Sequence, residues 1–304
     1  MSQLLSKQKA TLIPYLLILP ALSLIVLFRL YPILTTLIES VYINNSFTLD
    51  VYRRLFNDRV FWNSFWTTIR LNVVMIPFQV FVAFMLALLV NTTVRGVGVF
   101  RTLIYLPFTV SMAVAAVLWG MMLNPNSGIV NSLLGLVGIA PQGFLIDANQ
   151  ALWSIVAIAS WIGCPYWMMF LLAGLKNIDQ SIYESAKIDG ASWLRSIVSI
   201  TLPLLKRVLL FVFVANTTAN LLLFAPMQII TGGGPQGSTN VLMFEAFRSA
   251  FRFADRPRSA AIVMVLLTLI ALVCILQFRL LDEKEEKIEN VKKISKKNAN
   301  VRGA

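Results

Sequence analysis

The residues best placed to do chemistry in this 304-residue chain are polar ones that interrupt long apolar runs. The stretch from Lys176 to Ala191 puts Ile178, Ile182 and Ala186 on one face of a helical wheel, with Gln180, Glu184 and Lys187 roughly opposite. It reads as a short amphipathic helix, and Gly190 can end it in the left-handed conformation. Beside a bilayer such a helix can lie on lipid, dock in a partner's groove, or be a plain loop helix. A second group is neutral and aromatic. Ser160, Trp161, Gly163, Pro165 and Tyr166 share one apolar run, where Gly163 and Pro165 are expected to break the helix. Asn216, Thr217, Thr218 and Asn220 crowd one turn of the next run. These groups suit a hydroxyl-rich ligand that stacks on rings and bonds to amides. They suit interhelical hydrogen bonding in a membrane bundle equally well.

Other chemistry is ruled out by what the chain lacks. It has no histidine, which excludes imidazole catalysis and His-ligated metal. Cys164 and Cys274 both fall inside apolar runs and read as small buried hydrophobes rather than as a disulfide or a metal site. There is no Gly-x-x-x-x-Gly-Lys-Ser/Thr loop and no Gly-Lys pair, so the chain is not expected to hold ATP itself. The one glycine cluster, Gly232, Gly233 and Gly234 followed by Pro235, reads as a turn. Glu39, Glu245 and Asp255 all lie in connectors, and no apolar run carries an acid near its midpoint. Ion-coupled carriers usually need such groups within the membrane.

The elements that must position these residues are membrane spans. With 58% hydrophobic and 13% charged residues, the chain is too apolar for an ordinary soluble domain. Six runs are long enough to cross a bilayer: about 12–31, 66–90, 102–123, 152–175, 204–230 and 260–281. The first is read as a retained span and not as a signal peptide, because no small-x-small cleavage site precedes Arg29. Residues 1–11 form a short tail, and 33–65 a polar connector with a surface helix from Val51 to about Ser64. The segment 124–150 is rich in Gly, Asn and Pro. A short helix is expected from Val241 to Phe253. The tail 282–304 alternates acids and bases and reads as solvated and partly disordered. The fold class is therefore all-α: one polytopic membrane domain over 12–281. Placing the N-terminus inside collects 17 Lys and Arg on that side and nine on the other, so both termini and the 176–203 loop face the cytoplasm. The net charge of +12 could suggest nucleic acid, but this distribution points to a membrane, with lipid as the partner and no nucleic acid.

Glu184, Ala186, Asp189, Gly190 and Ala191, followed by Ile200, Leu202 and Pro203, resemble the E-A-A…D-G-A…I-x-L-P loop of ABC-importer permeases, with Ser185 in place of the first alanine. Further similarity lies in Tyr52 to Phe56, Phe100 to Leu103, Leu106-Pro107, Gly128 to Asn131, Ala173 to Leu175, and Thr231 to Pro235 with Ser238-Thr239. From about residue 12 to 281 the chain looks like a sugar-type permease of this kind, of the maltose, oligosaccharide and glycerol-phosphate sort. The run Trp161, Gly163, Pro165 and Tyr166 is most similar to the larger maltose-importer permease.

The resemblance implies six transmembrane helices and a cytoplasmic coupling helix that docks on an ATP-hydrolysing subunit through Glu184, Ala186, Asp189, Gly190 and Ala191. It implies that Ile162, Gly163, Tyr166 and Asn220 face a carbohydrate. Around the last of these the chain departs from the family pattern at Ala219, Leu223 and Ala225. It also implies that the loop holding Gly232, Gly233, Gly234 and Pro235 reaches toward a binding protein. The implied partners are a second similar permease, two ATP-binding subunits that carry ATP and magnesium, and an extracytoplasmic solute-binding protein. No catalytic residue, metal or cofactor is expected on this chain, and the setting is the cell membrane of a prokaryote. Two other classes remain open on the residues alone: a secondary transporter or channel working without ATPase subunits, and a membrane scaffold whose polar residues only pack.

Overall fold

Apolar period and interruption together set the helix boundaries in the computed structural model, which describes residues 17–43 and 46–302 and the side chains of those up to 279. The tail 1–11 and the start of the first expected span lie outside the described residues. Among the described residues, five helices are long and apolar enough to cross a membrane: α1 (Leu17–Val41), α3 (Arg59–Val90), α7 (Ala151–Lys176), α9 (Trp193–Leu221) and the Arg256–Arg279 part of α11. A pair of helices, α4 (Val97–Thr109) and α5 (Met112–Met122), is long and apolar enough only when taken together, and it is bent by 93° at the break.

That bend departs from the single span expected over 102–123. Val110 and Ser111 are extended, and the Ser111 hydroxyl accepts from the Val114 N–H at 3.3 Å, starting a new helix in mid-run. The fifth span is also displaced. A π-turn at Ile197–Thr201 lets the Leu202 N–H reach the Ile197 carbonyl, so the helix begins at Trp193 and carries Pro203 without breaking. It stops at Leu221, and a second π-turn, Met227–Thr231, ends in left-handed Gly232. In α7 the expected break does not occur: the helix runs continuously through Gly163 and Pro165. The surface helix expected over 51–64 divides into α2 (Asp50–Phe56) and the first turns of α3. The remaining helices are α6 (Ile129–Leu136), α8 (Gln180–Ile188), α10 (Leu242–Phe251) and α11 (Arg256–Arg302). The backbone of α11 stays helical through Arg302, over Glu- and Lys-rich residues expected to be partly disordered.

Two compact units divide the chain. The first holds residues up to Asp58 together with Glu245–Val265. In it Tyr42–Ile43 (β1) and Ser46–Phe47 (β2) form a small antiparallel hairpin, and the Tyr52 hydroxyl donates to buried Ser40 at 2.9 Å. Glu245 is buried in α10 and paired with Arg258 at 2.9 Å and Arg248 at 3.3 Å. Arg258 also holds Asp58 at 2.6 Å.

The second unit, Arg59–Phe244 with Leu266 onward, is built on α3, α7 and α9. Val80, Ala83, Phe84, Ala87 and Val90 of α3 recur at helical spacing and meet Trp167, Met168, Leu171, Leu172 and Leu175 of α7. Leu205 and Val212 of α9 close the cluster. Gly174 permits the close approach of α7 to α9, since a Cβ there would stand 2.7 Å from Leu205 Cδ1 and 2.9 Å from Val208 Cγ2. This core fixes where the polar residues of the three helices meet.

Candidate functional site

The amphipathic stretch folds as α8, nine residues with a defined cap at each end. At its start the Asp179 carboxylate accepts from the Ser181 N–H at 2.9 Å, a bond that holds its pKa below the ordinary carboxylate range. At its end the Ala191 N–H donates to the Ala186 carbonyl at 2.9 Å and the Gly190 N–H to the Lys187 carbonyl at 3.1 Å. Those are the paired bonds of a Schellman ending, and Gly190 takes the left-handed φ of +73° that it demands. Three of the loop residues singled out in the sequence thus have structural assignments: Ala186 supplies the accepting carbonyl, Gly190 the left-handed turn, Ala191 the closing N–H. Glu184 and Asp189 are exposed. Ala186 is buried and Ile178 packs against the core, leaving Ile182, Ile188, Trp193 and Leu194 exposed. Ile188 and Trp193, at 86% and 68% exposure, were not singled out in the sequence. The Tyr183 hydroxyl meets Thr201 Oγ1 at 3.0 Å, tying α8 to the π-turn that opens α9.

A second cluster lies within the spans. Asn220 of α9 donates from Nδ2 to Gln79 Oε1 of α3 at 2.8 Å and to Asn216 Oδ1 at 2.6 Å. Gln79 Nε2 donates in turn to Ser160 Oγ of α7 at 3.3 Å. All four residues are buried. Asn216 Nδ2 is buried with no partner among the described residues, which costs about 1–3 kcal/mol by comparison with similar groups. Nearby in sequence, the Tyr166 ring stacks on Phe108 at 4.5 Å, with Trp167 at 4.8 Å and Phe170 at 5.0 Å. Tyr166 is half-buried, and its hydroxyl has no hydrogen-bond partner among the described residues. Gly163 faces Gln79, whereas Ile162 is buried and adds packing. Of the four residues expected to face a ligand, Gly163 and Asn220 therefore share one network through Gln79, and Tyr166 sits in an aromatic cluster.

On the opposite side of the expected topology, the glycine turn is anchored more tightly than a free loop. Gly233 is buried at φ +86°, where a Cβ would stand 2.8 Å from the Phe244 ring. Thr239 Oγ1 donates to the Gly234 carbonyl at 2.8 Å, Asn63 Nδ2 to the Gly237 carbonyl at 2.9 Å, and Asn240 Nδ2 to Ser64 Oγ at 2.9 Å. Gly232 is exposed, and Gly234 and Pro235 are half-buried. With Gly120, Asn124, Pro125 and Ile230, the last two line an open hollow of about 590 Å³, within the usual size of small-molecule clefts.

Gln79 had no mark in the sequence that set it apart. It is one amide in an apolar run, flanked by Phe78 and Val80 with no polar neighbour to mark it. A scan for lone amides within spans would have found it, along with Asn72.

A profile of the family described as binding-protein-dependent transport system inner membrane component matches residues 79–284. The chain is similar to the sn-glycerol-3-phosphate transport system permease protein UgpA of Pectobacterium atrosepticum, 33% identical over 91% of this chain and 96% of that protein. It is similar to the lactose transport system permease protein LacF of Rhizobium radiobacter, 38% identical over 87% and 92%. The trehalose/maltose transport system permease protein MalF of Thermococcus litoralis is 33% identical over 79% and 84%. Among solved structures, the fold is similar to a chain of a bacterial ABC transporter that imports the acidic polysaccharide alginate, with a TM-score of 0.80 and 20% identity over 92% of this chain and 99% of that one. A second structure of an alginate ABC transporter, in complex with an alginate pentasaccharide-bound periplasmic protein, gives 0.81 and 21% over 90% and 95%.

Proposed function

The chain belongs to the family of binding-protein-dependent transport system inner membrane components, and on that premise we propose that it lines half of a carbohydrate pathway in an ATP-driven importer. A second, similar permease would complete the pathway. Two ATP-binding subunits would hold ATP and magnesium, and an extracytoplasmic binding protein would deliver the sugar. The carbohydrate class is supported by relatives named for lactose, for trehalose and maltose, and for sn-glycerol-3-phosphate.

The observation that carries the coupling is α8. A nine-residue helix is marginal alone, yet here both ends are capped and Tyr183 braces it against α9. Its exposed Glu184, Ile188 and Asp189, with Trp193 beyond, offer charge and apolar area to a groove in a partner. A rigid knob of this kind can pass the closing of the ATP-binding subunits to α9, and through the shared core to α3 and α7, as a rigid-body swing. With both termini inside, α8 faces the cytoplasm, where ATP is available. Tyr166 and Asn220 would touch the sugar, and the outer hollow beside Gly234 and Pro235 would face the binding protein.

Glu184→Lys tests the coupling. It reverses an exposed charge and leaves the spans folded, so co-purification of the ATP-binding subunits and ATP hydrolysis stimulated by the binding protein should both fall. Wild-type values in both would remove α8 from the coupling. Titrating the binding protein with lactose, maltose, trehalose and sn-glycerol 3-phosphate identifies the cargo. Binding of none of them, with tight binding of an amino acid or ion instead, would overturn the carbohydrate reading.

A further inference from the structure

Gln79 stands one turn beyond Met75 on the buried face of α3 and is 1% exposed, yet neither the coupling nor the ligand contacts proposed above use it. Its amide spans three helices. Oε1 accepts from Asn220 of α9 at 2.8 Å, and Nε2 donates to Ser160 of α7 at 3.3 Å. Gly163 leaves it room, since a Cβ there would stand 3.3 Å from Nε2 and 3.6 Å from both Cδ and Oε1. A side-chain amide has two N–H donors and one carbonyl oxygen. Asn220 spends both donors inside the protein, one on Gln79 and one on Asn216 Oδ1 at 2.6 Å. Its own Oδ1 accepts no hydrogen bond among the described residues and is not sealed from contact, although Asn220 as a whole is only 8% exposed. Were the Asn220 amide turned over alone, Oδ1 would face two acceptor oxygens and both contacts would become repulsive; it can reverse only if Gln79, Asn216 and the Ser160 hydroxyl reverse with it. Gln79 thereby ties the end of Asn220 that is left to a ligand to the direction of the whole chain of bonds.

We propose that Gln79 is a positioning residue. In the direction these bonds take it holds Asn220 Nδ2 inward, so that Asn220 accepts, and the substrate group recognised there is a hydroxyl that donates. The proposal rests on the reading that Asn220 touches a carbohydrate. It adds a direction to that contact: at this position a sugar hydroxyl is accepted, while an ether, a fluorine or a carbonyl oxygen in its place finds no donor.

The test uses the whole transporter in proteoliposomes with ATP inside and its binding protein present. The tracer is whichever of radiolabelled lactose, maltose, trehalose or sn-glycerol 3-phosphate the wild type accumulates, and the readout is tracer imported per ATP hydrolysed. Gln79→Met keeps the volume and removes both hydrogen bonds. It should lower that ratio by about two- to tenfold, the worth of one hydrogen bond. Asn220→Leu should do the same, and the double variant should lose no more than either. Gln79→Glu, which still offers an oxygen to Asn220 Nδ2, should restore most of the ratio. A wild-type ratio in Gln79→Met beside a reduced one in Asn220→Leu would overturn the positioning role and leave the ligand reading standing. A wild-type ratio in Asn220→Leu would overturn the ligand reading and the positioning role with it. Losses that multiply in the double variant would show two independent functions. A constant ratio with lower yield and melting temperature would make Gln79 packing alone. Melting of the four complexes needs no tracer and gives a separate check: additive losses for Gln79→Met and Asn220→Leu would deny that the two side chains are bonded.

Discussion

Tyr166 separates packing from ligation more cleanly than any other side chain in the spans. Its ring is held by Phe108, Trp167 and Phe170, whereas its hydroxyl is bonded to nothing among the described residues. Phenylalanine would keep every ring contact and remove only the oxygen. Tyr166→Phe should therefore leave the yield and melting temperature of the complex unchanged and reduce sugar flux per complex by about two- to tenfold. Unchanged flux would make Tyr166 a packing residue. The polar character of Tyr166 and Asn220 was legible in the sequence, because aromatic and amide side chains stand out in an apolar run, but not that the helix carrying Asn220 ends one residue later, at Leu221. Gln79 was equally visible as a letter, but its meaning lies in partners 81 and 141 positions away. No local period encodes such a pairing. Ile162 shows the converse: it is adjacent to Gly163 in the chain, yet the helix turns it into the packing.

Among the elements, α8 was the most legible. Its apolar period, its polar face and a glycine at the end state the same thing three times, and the structure adds only the bonds that close it. Gly190→Val tests this element. A β-branched residue resists positive φ, so the Ala191 and Gly190 N–H bonds should be lost together. Co-purification of the ATP-binding subunits and stimulated hydrolysis should then fall while the spans stay folded. Tyr183→Phe removes only the bond to Thr201, worth about 0.5–1.5 kcal/mol, and should give a smaller loss of stimulated hydrolysis with partner binding retained. Equal and complete retention of stimulation in both variants would mean that α8 is not braced for coupling. The α4–α5 bend was not legible, because an apolar run has the same hydropathy whether straight or bent. The outcome was decided by Ser111, whose cap competes with the continuing helix. The continuity of α9 through Pro203 was hidden for a related reason. Pro203 ordinarily marks a helix boundary, but a π-turn in front of it removes the conflict.

At the scale of the molecule, the spans differ sharply in how much of them the chain itself covers. Two-thirds of the apolar window of α7 is buried and none of that of α1. From Leu17 to Leu34 every residue of α1 is exposed, as expected of a helix that meets lipid or another subunit. The orientation that places α8 in the cytoplasm rests on the distribution of Lys and Arg, and it can be checked directly. In a chain with Cys164 and Cys274 replaced by serine, Asn300→Cys should react with a membrane-impermeant thiol reagent only after the cytoplasmic side is opened. Labelling of intact cells would place α8 on the wrong side for coupling. The most direct measurement of the central claim is sugar accumulation by proteoliposomes holding this chain with its partner permease and ATP-binding subunits, supplied with binding protein outside and ATP inside. Accumulation should require ATP and every partner, and Gly190→Val should abolish it while the chain still inserts in the membrane with its spans folded. Accumulation by this chain alone, without ATP and following an ion gradient, would contradict the account.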